Sequence, residues 1–106
     1  MELLNMEDNR KQLLRVNGFV NGKKAWILID SGATENFINK DFVNKHRIEG
    51  QTTGNLPVQL ADGHNKTITT VIRMKTLKLE TYSTTNVNAY VMPLQRYDLI
   101  LGKPWL

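Results

Sequence analysis

The stretch Trp26-Ile27-Leu28-Ile29-Asp30-Ser31-Gly32-Ala33-Thr34 constrains this chain more than any other. Ile27 to Ile29 is a continuous apolar run with the length of a strand buried on both faces, and it stops at a carboxylate. Rigid structure can hold the Asp30 backbone there while its head group points into a cleft. Gly32 admits a turn conformation closed to residues with a Cβ, and lets a ligand or a second backbone come close. Ser31 and Thr34 add hydroxyls able to fix the carboxylate and the loop around it. The same residues also build an ordinary strand-end turn closed by an Asx or Ser/Thr hydrogen bond. The buried strand in front and the Ala33-Thr34 pair behind make the stretch more specific than a bare Asp-Ser-Gly.

Around this stretch the chain is read as a series of strands. Met1 to Gln12 is polar and weakly patterned, open to a short helix, a frayed tail or a segment that pairs with a partner chain. It is set apart as an N-terminal tail before one domain over residues 13–106. Leu13 to Val20 reads as a strand, and Asn21-Gly22 as a type I′ hairpin turn, whose two central residues need φ > 0. Asn17-Gly18, a second such dipeptide, predicts a bulge. The returning strand, Lys24 to Ile29, delivers Asp30. Asn39 stands as the N-cap of a helix running to His46, with Asp41 in the first turn and Lys45 and His46 in the last. Phe37, Ile38, Phe42 and Val43 would face the core.

Gly50 to Gly54 reads as a polar connector. Pro57 to Ala61 and Thr67 to Ile72 form a hairpin around Asp62-Gly63. Met74 to Thr81 and Val87 to Met92 alternate as half-buried antiparallel strands. Leu99-Ile100-Leu101 is continuous and apolar like Ile27 to Ile29, and it too stops at a glycine, Gly102. Pro104 sits where a helix could begin. The two halves echo one another as hairpin, buried strand, glycine loop and helix start, a weak internal repeat about a pseudo-two-fold axis.

Composition removes several classes. A chain of 106 residues supports one domain with a modest core. Without cysteine it has no disulfide and no thiolate metal site. No apolar run approaches the length of a membrane span, and the first twelve residues carry acids where a signal peptide needs an apolar core. The net charge of +4 is spread along the chain, with no block of five like charges. Only 8% of residues are aromatic, and none interleave with the bases as a single-strand binder requires. His46 and His64 stand isolated, as surface or capping residues do, and no metal or other cofactor is expected.

Ile29-Asp30-Ser31-Gly32-Ala33-Thr34, with Tyr97-Asp98-Leu99-Ile100-Leu101-Gly102 further on, resembles the retropepsin-like aspartic proteases. The closest likeness is to the protease of Ty3/gypsy-type retrotransposon polyproteins, and it spans residues 13–106. The resemblance implies an all-β, closed, barrel-like fold with one short helix, active as a two-fold homodimer. It implies an aspartic endopeptidase that processes a retroelement Gag-Pol polyprotein, its own included, in the cytoplasm or within retroelement particles. Asp30 takes the catalytic position, in an active-site loop completed by Ser31, Gly32, Ala33 and Thr34. The Ser31 hydroxyl falls where the family braces the two loops across the dimer axis. Leu60-Ala61-Asp62-Gly63 falls at the flap that closes over the peptide, and Leu101 and Gly102 form the glycine loop of the second half. A second copy of the chain and a polypeptide are the implied partners, with no membrane and no specific nucleic acid.

Counting carboxylates agrees with a dimer. Two carboxylates held together share one proton and can activate water between an acid and a base. The chain supplies one Asp-Ser-Gly. Asp8 lies in the tail, Asp41 in a helix, Asp62 in a turn, and Asp98 begins a strand. Two copies of Asp30 meeting on a two-fold axis would complete the pair.

Two departures from the family stand out. Viral relatives carry a paired acid and arginine at the Thr34 and Lys103 positions, so this corner must be held differently here. Relatives also continue past Trp105-Leu106 into a helix and a strand of the interface, which leads to the expectation of a weak, concentration-dependent dimer. The rival readings are a catalytically silent, domesticated domain used for dimerisation or protein binding, and a small basic RNA-binding β-barrel.

Overall fold

The computed structural model describes residues 2–5, 12–59 and 65–105. The described elements are, in chain order, β1 (Glu2–Asn5), β2 (Gln12–Val20), β3 (Lys23–Asp30), β4 (Phe37–Asn39), α1 (Lys40–Lys45), β5 (Gly50–Gln59), β6 (Asn65–Leu79), β7 (Tyr82–Met92) and β8 (Leu99–Leu101). They form one sheet in the order β1-β2-β3-β8-β4-β7-β6-β5, and a further pairing of β2 with β6 closes it. The closed ring is therefore β2-β3-β8-β4-β7-β6, with β1 and β5 laid on as flanking strands. The described residues adopt the expected all-β barrel with one short helix.

The β2–β3 hairpin follows its sequence. Val20 pairs with Lys23 across a two-residue loop, and Asn21 and Gly22 take φ of 50° and 79°. The tip is stapled to β6: Asn21 N donates to Thr76 O at 2.9 Å, and Asn21 Oδ1 accepts from Thr76 N at 3.2 Å.

No bulge occurs at Asn17-Gly18, where the β2–β3 register runs unbroken from Leu13↔Asp30 to Val20↔Lys23. The glycine serves the barrel seam instead. Its pairing partner across that seam is Leu79, and a Cβ at Gly18 would lie 2.4 Å from Lys78 O and 2.8 Å from Ile27 Cδ1.

β3 is buried as an interior strand should be. Ala25, Ile27, Leu28 and Ile29 are all buried, because β2 lies antiparallel on one side and β8 parallel on the other. Ile27, Leu99 and Leu101 are fully enclosed, among Val16, Ile38, Ile72, Met74 and Leu77. Each such side chain contributes roughly 1.5–3 kcal/mol relative to exposure.

The helix forms where its cap predicts. Asn39 Oδ1 accepts from Asp41 N, Phe42 and Val43 are buried, and His46 is the C-cap, its ring 4.4 Å from that of Phe42. Of the four residues assigned to the core here, Ile38, Phe42 and Val43 are buried and Phe37 is half-buried.

Four stretches differ from the sequence reading. Glu2–Asn5, for which helix, tail and partner-pairing segment stood open, pairs antiparallel with residues 12–15 of β2. Gly50 to Gly54 is the first half of β5 rather than a connector. Its residues are polar because β5 is an outer strand, so backbone pairing to β6 holds it without an apolar face. Gly54, at φ 78°, lies where the register shifts between Thr52 and Leu56. The strands expected over Thr67–Ile72 and Met74–Thr81 are one strand, β6, which is continuous through Arg73 and ends at Leu79. Finally, β7 begins at Tyr82, five residues before Val87, since Glu80 at φ 48° turns the chain back so that Leu79 pairs with Tyr82.

Candidate active site

β3 ends at Asp30, and the loop from Asp30 to Asn36 leads into β4, which runs antiparallel to β8. β8 therefore lies between β3 and β4, and the loop joining those two strands must pass the end of β8. That end is Gly102. A Cβ on Gly102 would sit 2.4 Å from Glu35 O and 2.6 Å from Ala33 O, both backbone atoms, so only glycine fits the crossing. Gly102 thus lies directly against the Asp30 loop, and Leu101 pairs with Ile29 just ahead of it.

The loop is held at both ends by short hydrogen bonds. Asp30 Oδ1 accepts from Gly32 N at 2.8 Å, and Ala33 N donates to Asp30 O at 3.1 Å. These two bonds make a tight turn and fix the carboxylate relative to its own backbone. Lys103 N donates to Ala33 O at 2.9 Å, tying the far side of the loop to the strand that follows Gly102. Asp30, Ser31 and Ala33 are half-buried, while Gly32 and Thr34 are exposed.

Asn36 supplies the remaining tie, and the sequence reading missed it. It is 5% exposed, the buried polar residue among the described side chains. Its Oδ1 accepts from Gly102 N at 2.8 Å and its Nδ2 donates to Asn88 O at 3.0 Å. Its own carbonyl accepts from Tyr90 N at 2.9 Å. One amide thus joins the Asp30 loop, β8 and β7, and with Lys103 N it answers how the Thr34–Lys103 corner is held. Thr34 and Lys103 side chains are both exposed there.

Asp98 was also missed as a structural residue. Its Oδ2 accepts from Trp26 N at 2.7 Å and its N donates to Trp26 O at 2.8 Å, which locks β8 beside β3 one residue before the parallel pairing starts. Tyr97 stacks on Trp26 with ring centroids 6.4 Å apart, and the Arg15 guanidinium lies 6.0 Å from the Tyr97 ring centre. The signal available in the sequence was an acid directly before an apolar run: an interior strand leaves such a carboxylate to bond a neighbour's backbone.

The expected flap, Leu60-Ala61-Asp62-Gly63, lies outside the described residues, as does His64. Its two arms are β5 and β6, paired as far as Gln59↔Asn65. Among the described residues no group of three or more His, Cys, Asp or Glu is placed to hold a metal.

The profile of the PEG10/RTL1 protease domain matches residues 26–106. The chain belongs to this family. Its fold is retropepsin-like. It superposes on a retropepsin-like aspartic protease from Rickettsia conorii with a TM-score of 0.60 and 16% identity, over 95% of this chain and 74% of that one. The retroviral protease-like domain of Ddi1 from Leishmania major gives 0.58 and 23%, over 85% of this chain and 71% of that one. No curated protein sequence matches the chain. At these identities the structural likeness concerns the fold, and the family assignment rests on the profile match that takes in both Asp30 and Gly102.

Proposed function

We propose that the domain is an aspartic endopeptidase acting as a two-fold homodimer, with one Asp30 from each copy forming the catalytic pair. The carrying observation is the Asp30 turn. A half-buried carboxylate at the end of an interior strand has one oxygen engaged by Gly32 N, within a loop strapped down by Gly102, Asn36 and Lys103. Asp98 is bound to Trp26 N and Asp41 stands in the first turn of α1, so neither offers Asp30 a partner carboxylate. A second Asp30 does.

In the pair, two carboxylates at short range hold one proton between them. The ionised member takes a proton from a water whose oxygen attacks the peptide carbonyl carbon, and the protonated member gives its proton to the carbonyl oxygen. Collapse of the resulting diol breaks the C–N bond, and the departing nitrogen takes a proton from the pair. The proposed substrate class is an extended polypeptide, and the parent polyprotein of a Ty3/gypsy-like retroelement is the proposed source.

The test is Asp30→Asn. Asparagine keeps an Oδ1 to accept from Gly32 N, so the fold should persist with an unchanged melting temperature while cleavage of a peptide library disappears. Cleavage by the variant at the wild-type rate would refute the assignment.

A further inference from the structure

The end of the barrel remote from Asp30 carries a different kind of surface. β3 runs from Lys23 to Asp30, so the two ends lie about 23 Å apart at the rise of an extended strand. At the Lys23 end the β2–β3 turn, the segment after α1 and the middle of β6 converge on an open groove of about 550 Å³. Lys23, Arg47, Arg73 and Lys75 line it, with Glu49 as its one acid. All four cations are exposed, and among the described residues none of them is engaged in an ion pair. Arg73 and Lys75 alternate with buried Ile72 and Met74, so the core fixes both on the outward face of β6. A second groove continues past Glu49, Arg73 and Lys75 to Asn86 and Asn88.

We propose that this groove binds the phosphate backbone of nucleic acid, without sequence preference. Two of its cations are arginines, whose planar forks suit phosphate oxygens, and Asn21, Thr76, Asn86 and Asn88 add uncharged polar groups along the path. An acidic peptide fits less well. Peptide recognition adds apolar pockets for side chains, and Ile48 is the sole apolar residue lining the groove at the Lys23 end. The one aromatic ring among the described lining residues, that of His46, is packed against Phe42 of α1, so the groove offers charge rather than a run of stacking platforms and therefore no sequence readout. The site is separate from the Asp30 loop, so it stands whether or not the domain cleaves peptides.

The experiment is fluorescence anisotropy with a labelled twenty-nucleotide oligouridine, titrated from 50 to 200 mM salt. Four backbone contacts to a single strand give log K falling with log salt at a slope of about −2.8. Two variants with equal net charge separate groove from bulk. Lys23→Gln/Arg47→Gln/Arg73→Gln/Lys75→Gln should lose at least about tenfold in affinity. Lys40→Gln/Lys78→Gln/Arg96→Gln/Lys103→Gln, which removes four exposed cations elsewhere, should stay within about twofold of wild type. Acetylation of the wild-type protein supplies a readout independent of variant folding: bound RNA should protect Lys23 and Lys75 but leave Lys40 and Lys103 reactive. Equal losses in the two variants, a flat salt dependence, uniform acetylation, or equal competition by a polyglutamate peptide of matched charge would each overturn the proposal.

Discussion

Asn36 concentrates more of the site's architecture than any single charged residue. Removing its side chain leaves Gly102 N without its partner in a buried setting, which costs about 1–3 kcal/mol, and takes a hydrogen bond from the part-buried Asn88 O as well. Asn36→Ala should therefore lower the melting temperature by at least about 4 °C, as scanning calorimetry would read it. Asn36→Asp keeps the acceptor for Gly102 N but turns an oxygen toward Asn88 O, and should be destabilised as well. A variant of either kind melting with wild type would remove Asn36 from the bracing role. At this scale legibility was uneven for a definite reason. Asp30 and Gly102 each end a continuous apolar run, and a polar or cavity-less residue at such a boundary announces itself. Asn36 follows Thr34 and Glu35, one polar residue among several, and nothing local marks it as the one that turns inward.

Elements were legible where burial imposed a period and illegible where pairing alone held the strand. β3 and β8 came through because both faces are covered, and α1 because Asn39 caps it and Asp41 follows. The first half of β5 is polar and outermost, and the first half of β7 is mostly exposed, so neither carries alternation. Nor did the sequence separate one long β6 from two strands, since Arg73 sits outward between Ile72 and Met74 without interrupting the ladder. The cap of α1 gives an element-scale prediction. Asn39 Oδ1 accepts from both Asp41 N and Leu94 N, and its Nδ2 donates to Leu94 O and Tyr97 O. An ordinary N-cap asparagine is worth about 0.5–2 kcal/mol against alanine. Asn39→Ala also releases the segment that carries Tyr97 and Asp98 toward β8, so its loss in urea unfolding should reach or exceed the upper end of that range. Asn39→Ser, which restores the cap but not the reach to Leu94, should recover only part of it.

The barrel as a whole places Asp30 at one end and the basic groove at the other, and its closure depends on β2 meeting β6 at Gly18. Nothing in the sequence named that seam, because a glycine required by the approach of a distant strand looks like a turn glycine until the partner is known. The assembly follows from the same accounting of partners. Under the proposed function each subunit contributes one Asp30, and Asp98 is engaged by Trp26 N, so a functional pair would take two chains. Mixing tests this without knowledge of the interface. Wild type and Asp30→Asn subunits should exchange freely, since asparagine preserves the acceptor for Gly32 N. In a random mixture only dimers with two wild-type subunits keep both carboxylates, so activity should follow the square of the wild-type fraction. At equal proportions and constant total protein, cleavage should fall to about one quarter of its starting rate. If each chain acted alone, the rate would fall to about one half, in proportion to the wild-type fraction. A linear dependence, measured after long enough equilibration for subunits to exchange, would mean that Asp30 works with a group of its own chain and that the two-copy site is wrong.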